Sequence, residues 1–391
     1  MIVAVVSDDR VCVTPDGRAH TIAGYDWHRV AELFGPDLRE LRLYSRVFYA
    51  ERPPESWGPL GTGDKVRIVP LPWFHKYQAL VRIPGAARQL RRELRGADVV
   101  WLIVPNVYST IAYFAARTRR RPIVAWCVGD AEETATMVYD EWPLRISHRA
   151  YGRVTRRIVR RADVPVVTSR ALARKYGVEG RALVAYRSFR DPGYLAEEPA
   201  GGREDADVVL YLGRLSPEKG VATLVAAFER VLERVPEARL VVAGDGPERP
   251  ALADEVERRG MTASVEFAGW IAHGTPMSEL LHGATVLCLP SYSEGMPAVL
   301  LEGLWASLPA VVTSAGDMAA AAGDAAIVVP PRDEAALADA LVRVLTDPVL
   351  RRRLAGAAGT AAEASSFEKQ TGAVVAATRD LVARRRGKRG G

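Results

Sequence analysis

The feature that most constrains this chain is an alternation of short β-branched runs with longer stretches whose apolar residues fall at helical spacing. That pattern belongs to βαβ units built on a parallel sheet. In the first half the strand candidates are 2–6, 40–44, 66–69, 98–104, 122–128, 164–168 and 182–185. Several are unbroken apolar runs, as strands covered on both faces should be. Residues 10–25 read as a hairpin or long loop turning at Pro15-Asp16-Gly17. A second series places strands at 208–213, 239–243, 264–268, 285–289, 309–313 and 326–329. Helices are expected near 219–235, 247–259, 276–283, 297–306 and 333–346. Between the series lies 190–207, RDPGYLAEEPAGGREDAD, rich in Pro, Gly and acid and without apolar periodicity, which reads as a linker.

The expected architecture is α/β: two doubly wound parallel-sheet domains, 1–189 and 208–365, facing a cleft. A helix and basic tail over 366–391 are expected to pack back on the first domain. The length of 391 residues suits two domains, and 48% apolar with 26% charged residues is globular composition. No run of eighteen apolar residues exists, and the opening MIVAVVSDDRVCV lacks a basic leader and reads as a buried strand. A cytoplasmic protein, peripheral at most on the inner membrane face, is the expectation. Cys12, Cys127 and Cys288 sit in apolar, strand-like runs without metal-ligand spacing, as buried free thiols would. The net charge of +6 suits phosphates or anionic lipid. No aromatic-basic motif for nucleic acid accompanies it.

Residues 208–220, VVLYLGRLSPEKG, run from a buried strand through Gly213 and Arg214 to Lys219 at an expected helix start. Ser216 can cap that helix and Pro217 suits its first position. Two cations beside free helix amides make a cradle for a diphosphate. Lys219 is one of only six lysines in the chain, which argues against a chance placement on a solvated face. In TVLCLPSYSEGMPAVLLEGLWA, residues 285–306, Glu294 stands at a strand tip and Glu302 about one turn into the next helix. Carboxylates accept well from sugar hydroxyls. Gly295 allows close backbone approach, so its amide and that of Met296, ahead of Pro297, can donate to phosphate. Gly244, Asp245 and Gly246 end another strand. As a dinucleotide fingerprint they are weak, because Arg249 stands where a third glycine would be; a tight turn serves equally.

In order, GRLSPEKG, AGDGPE, FAGW, PSYSEGMPAVLLEG, LPAVVT and VVPPRDEAALADAL resemble the retaining glycosyltransferases of family 4, which have the GT-B fold. The resemblance is good over roughly 207–350 and weaker over 1–200. It implies that Arg214 and Lys219 bind a donor diphosphate, that Glu302 holds ribose hydroxyls and that Glu294 contacts the donor sugar. Gly269-Trp270-Ile271 falls where such enzymes hold the nucleobase, and Trp270 could equally be core. The implied donor is a UDP- or GDP-linked sugar, with no cofactor and no metal, and the leaving phosphate takes the acceptor's proton. The acceptor would be a sugar, a lipid-linked molecule or a small molecule. Three departures stand out. Only Gly17 and Gly24 represent the family's N-terminal Gly-Gly-acid; Gly129-Asp130 replaces a strand-end histidine; and Ala320 replaces an acid after Gly316-Asp317. Asp130 is the remaining candidate for an acceptor contact.

Residues 149–161 put Arg149, Arg153, Arg156 and Arg160 on one helical stripe opposite Tyr151, Val154 and Ile158. The stripe is either a solvated face or a surface for anionic head groups. Two other functions are compatible with the motifs: a nucleotide-sugar epimerase on the same fold, and a non-catalytic sugar-nucleotide-binding subunit.

Overall fold

The computed structural model describes the chain apart from residues 22–25, 55–56, 73–78, 130–141, 186–194, 196–206, 273 and 391. The side chains of 79–82, 142–150 and 388–390 are also left undescribed. The backbone forms two compact units: Met1–Arg190 together with Phe367–Gly391, and Asp191–Ser366. Of the linker expected over 190–207, only Leu195 and Asp207 fall among the described residues.

The first unit carries β1 (Ile2–Val13), β2 (Ala19–Thr21), β3 (Glu40–Tyr49), β4 (Gly58–Pro59), β5 (Val66–Leu71), β6 (Val99–Val104), β7 (Ile123–Cys127), β8 (Val164–Val167) and β9 (Leu183–Val184). The order β5-β3-β1-β6-β7-β8-β9 is parallel throughout. β2 runs antiparallel to β1, and β4 to β2. β1 is longer than the expected 2–6. After a register shift between Val6 and Arg10 it continues beside β3, and its far half forms the hairpin with β2. Arg46 holds the shifted segment by donating to the Asp8 carbonyl at 2.7 Å. The hairpin turns at Thr14–Gly17, where Gly17 has a φ of 80° and donates to the Thr14 carbonyl at 2.9 Å.

Helices α1 (Trp27–Phe34), α2 (Ala79–Glu93), α3 (Val107–Thr118), α4 (Trp142–Arg161) and α5 (Arg170–Tyr176) complete this part of the unit. Apolar clusters fill both faces of the sheet, which is why its strands read as unbroken apolar runs.

The second unit is a six-stranded sheet of β10 (Val208–Leu212), β11 (Arg239–Ala243), β12 (Val265–Gly269), β13 (Val286–Leu289), β14 (Ala310–Thr313) and β15 (Ala326–Val329). Its order β12-β11-β10-β13-β14-β15 is wholly parallel. The chain winds outward to β12 and then returns beside β10, so the strand order reverses between β10 and β13. Ligands of open α/β sheets sit outside the carboxyl ends of strands at such a reversal.

The helices are α6 (Val221–Leu232), α7 (Arg249–Arg258), α8 (Thr275–Gly283), α9 (Ala298–Trp305), α10 (Met318–Ala322), α11 (Glu334–Thr346) and α12 (Pro348–Ala364). α10 and α12 have no counterpart in the sequence reading. α12 is alanine-rich and buries only Leu350, Leu354, Ala358 and Ala362, too thin a stripe to announce itself. Its start was nonetheless written: Asp347 caps Val349 and Leu350 at 2.9 Å, and Pro348 takes the first position.

The chain then returns to the first unit as α13 (Phe367–Gly390), which takes most of the basic tail into the helix. Val374, Val375, Leu381 and Val382 pack in one cluster with Phe34, Trp101 and Trp126. Trp101 Nε1 donates to Thr378 Oγ1 at 3.1 Å. Ion pairs join Arg29 to Glu368, Arg379 to Asp37, Arg385 to Asp163 and Arg386 to Asp98. Asp98 and Asp163 also accept from the amides of Ile2 and Ile123, at 2.7 and 2.9 Å. Thr378→Val keeps the side-chain shape but strands a buried indole N–H, so it is expected to cost about 1–3 kcal/mol. Denaturant unfolding followed by tryptophan fluorescence checks this; an unchanged midpoint would show that the bond contributes nothing.

Candidate functional site

β10 leaves its sheet through Gly213 and Arg214, and β11 leaves beside it through Gly244-Asp245-Gly246. The two turns touch backbone to backbone. A Cβ on Gly244 would lie 1.8 Å from the Gly213 carbonyl oxygen, and one on Gly246 would lie 2.2 Å from that of Leu215. Gly213 donates to the Ala243 carbonyl and Leu215 to that of Asp245, both at 2.9 Å. These glycines therefore serve close packing of two turns, and no dinucleotide fingerprint is needed to explain them. Beneath them Tyr211 is buried and donates its hydroxyl to the Arg214 carbonyl at 2.7 Å. Burial, and then the charge of Glu294, push its phenol far above the usual range.

The expected helix start is displaced. Pro217–Lys219 form a single 3-10 turn, Gly220 follows at a φ of 67°, and α6 begins only at Val221. The left-handed glycine interrupts the helix, so Lys219 stands just before it and not in its first turn. Ser216 does not cap; its hydroxyl donates to the Glu218 carboxylate at 2.6 Å. Burial works against ionisation of Glu218, but the Ser216 hydroxyl, its own amide and the charges of Lys219 and Arg214 hold it below the usual carboxylate range. The ammonium of Lys219 pairs with the carboxylate of Glu294, the two side chains being only 20% and 14% exposed.

Glu294 comes from the connection between β13 and α9, which neighbouring turns hold from two sides. Thr313 donates its hydroxyl to the Ser291 carbonyl at 2.5 Å, and the Asp317 amide donates to the Gly295 carbonyl at 3.1 Å. Glu302, in the second turn of α9, is 9% exposed.

Within the second unit a cavity of about 460 Å³ opens at these strand ends. Of the residues singled out in the sequence, Gly213, Arg214, Lys219, Asp245, Trp270, Ile271, Glu294, Pro297 and Glu302 line it. Gly246, Gly295 and Met296 are not in the lining; Gly246 and Gly295 belong to the turns behind it. Trp270 is 59% exposed, which rules out the core reading of that residue. Gly244, read in the sequence only as part of a turn, lines it too, and Tyr211, Met277, Ser291 and Val299 also line the cavity and were not singled out. Ser291 could have been found from its position at a strand end, whereas Met277 is brought in by the placing of α8. The wall thus offers two cations for phosphate, carboxylates for sugar hydroxyls and an exposed indole for a planar ring. In the first unit Gly17 is accounted for by its hairpin turn, while Gly24 and Asp130 lie outside the described residues. Among the described residues no three His, Cys, Asp or Glu side chains gather where they could hold a metal ion.

The architecture is the GT-B fold: two α/β domains on parallel sheets. Along 97% of this chain and all of that one, it matches the Anabaena protein HepE in complex with UDP-glucose, with a TM-score of 0.69 at 15% identity. Residues 206–347 match the family of glycosyl transferases group 1. The glycogen synthase of Mycobacterium tuberculosis is 34% identical over 194 residues, 49% of this chain and 46% of that enzyme, so the chain spans about half the length of this relative. A phosphatidyl-myo-inositol mannosyltransferase of Mycobacterium leprae is 28% identical over 303 residues, 75% of this chain and 77% of that enzyme. No helix among the described residues is long and apolar enough to cross a membrane.

Proposed function

We propose that this chain is a retaining, metal-independent glycosyltransferase that moves a sugar from a UDP- or GDP-linked donor to an acceptor hydroxyl. Its place would be in the making of a cell-surface polysaccharide, a glycolipid or a glycosylated natural product. The observation that carries the reading is that Arg214, Lys219, Glu294 and Glu302 converge on one cavity at the strand-order reversal. Breaking the sugar–phosphate bond builds negative charge on the diphosphate, which Arg214 and Lys219 stabilise without metal. Glu302 takes the ribose hydroxyls, Glu294 the donor sugar, and Trp270 with Ile271 brackets the base. The departing phosphate takes the acceptor's proton on the face it leaves. A panel of nucleotide sugars tested for thermal stabilisation checks this, because a ligand at about 100 times its Kd adds roughly 2.7 kcal/mol to the native state. If none raised the melting temperature, the reading would fail. An isomerised sugar nucleotide appearing without acceptor would mark an epimerase instead.

The arginine surface of α4 belongs to the same reading. Arg153, Arg157, Arg160 and Arg161 are exposed around a depression of about 600 Å³. Arg156, expected on the exposed stripe, is half-buried with its guanidinium 5.6 Å from the Tyr176 ring centroid. Ile158 anchors the opposite side at 1% exposure. We propose that this face meets anionic head groups or a lipid-linked, phosphate-bearing acceptor. The protein is expected to float with phosphatidylglycerol vesicles and not with phosphatidylcholine ones, and to be released by salt. Equal behaviour with both vesicles would end the idea.

A further inference from the structure

Among the described residues, three other than glycine have a positive φ: Arg120, Ser307 and Arg332. Of these, Arg332 lies at the carboxyl end of a strand of the second sheet, just past β15, with a φ of 65°. Backbone of this kind is costly for a side chain with a Cβ and persists where the surroundings fix it. What surrounds Arg332 is Tyr292: the guanidinium carbon lies 4.0 Å from the ring centroid. The Tyr292 hydroxyl is 2.6 Å from that of Thr223 in α6. The Tyr292 amide donates to the Glu218 carbonyl at 2.8 Å. A Cβ on Gly220 would fall 2.8 Å from the Tyr292 ring and 2.2 Å from the Pro290 carbonyl oxygen.

Three strand-end connections therefore meet on one ring: the one after β10, which bears Lys219; the one after β13, which bears Glu294; and the one after β15. Tyr292 is not in the cavity lining, so it touches no ligand there. Ser291 just before it, Glu294 two residues after it and Lys219 across the turn do line the cavity. We propose that Tyr292, clamped between Thr223 and Arg332, is a positioning residue that sets the spacing of Lys219 and Glu294. The proposal rests on the donor-site reading above. Without the clamp the two arms are joined by main-chain hydrogen bonds and by the Lys219–Glu294 pair itself, which a bound diphosphate must loosen. The ring keeps the arms in place while the pair opens.

The test compares Tyr292→Phe, Thr223→Val, their double variant and Arg332→Gly with the wild type. UDP and GDP binding is read by calorimetry. Donor hydrolysis is read on whichever sugar nucleotide most stabilises the wild type, and melting temperature is recorded alongside. Tyr292→Phe keeps the ring and its cation and removes only the hydroxyl. It and Thr223→Val are each expected to lower kcat about tenfold, since displacement of a catalytic group by a fraction of an ångström has effects of this order. Because both break one link, the double variant should be no slower than either single. Arg332→Gly should lower kcat while leaving the melting temperature unchanged or higher, because glycine relieves the left-handed backbone. A merely structural role predicts the reverse, a lower melting temperature with normal kcat. Rates within about twofold of wild type for Tyr292→Phe and Thr223→Val, or losses that multiply in the double variant, would overturn the clamp. A wild type that binds neither nucleotide and is unaffected by Lys219→Ala would instead bring down the donor site itself.

Discussion

Lys219→Ala is expected to lower donor turnover by about a hundred- to a thousand-fold, the usual cost of deleting one pre-placed group that meets developing charge. The lysine sits at the end of a 3-10 turn held by Gly220 and by the Glu218 carbonyl, and its side chain is mostly enclosed beside Glu294. An ammonium held this way needs little reorganisation as the diphosphate departs. The variant should fold, since Lys219 packs in no apolar cluster and leaves Glu294 at the edge of an open cavity. Arg214→Ala is expected to fall in the same range. Lys219→Arg should not restore full activity, because the larger, planar guanidinium does not place its charge where the compact ammonium stands. Steady-state hydrolysis of the sugar nucleotide, with melting temperature as the control for folding, makes the measurement. Near-normal turnover in purified Lys219→Ala would place the diphosphate elsewhere.

Gly316→Ala should be almost as damaging, though residue 316 is not in the cavity lining. Gly316 has a φ of 61°, and a Cβ there would meet the Glu294 carbonyl oxygen at 2.2 Å and that of Gly295 at 2.5 Å. Both obstacles are backbone, so the added methyl must push the 294–297 turn aside. The turn carries Glu294 and opens α9, which carries Glu302. A shift near 1 Å in such a turn costs about a hundredfold in rate. The strained φ adds roughly 1–2 kcal/mol of destabilisation. Loss of turnover with a modest fall in melting temperature is the expected pair of results. Full activity would mean that the turn and its glutamate are not where the chemistry occurs.

The sheet of the second unit was legible because its strands are short, mostly apolar runs ended by Gly, Pro or Ser, and the expected bounds lie within a residue or two of the observed ones. The cavity was legible for the residues whose chemistry is unusual at a strand end: Arg214, Lys219, Glu294 and Glu302. What the sequence hid was set by contacts between distant turns. Gly220, left-handed and close against the Pro290 carbonyl, delays the helix to Val221, two residues later than expected, and nothing near Lys219 announces that contact. Gly244 and Gly246 looked like a motif, yet their use is to admit the neighbouring turn. Gly295 and Met296 were assigned to phosphate from their residue types, but they are outside the lining. In the first unit β1 outran its expected end because Arg46, thirty-eight residues downstream of Asp8, supports the shifted register. α12 was hidden by its alanines.

The helix that follows the second unit is built into the first. A nascent chain therefore completes the unit bearing the cavity while the earlier one still lacks part of a wall, the face of its sheet that holds Trp101 and Trp126 being only partly covered by α1. Maturation would run opposite to synthesis: the portion made first closes last. Residues Asp191–Ser366 form an uninterrupted segment suited to expression alone, whereas a fragment ending at Arg190 would leave exposed the apolar surface that Val374, Val375, Leu381 and Val382 cover and be prone to aggregate.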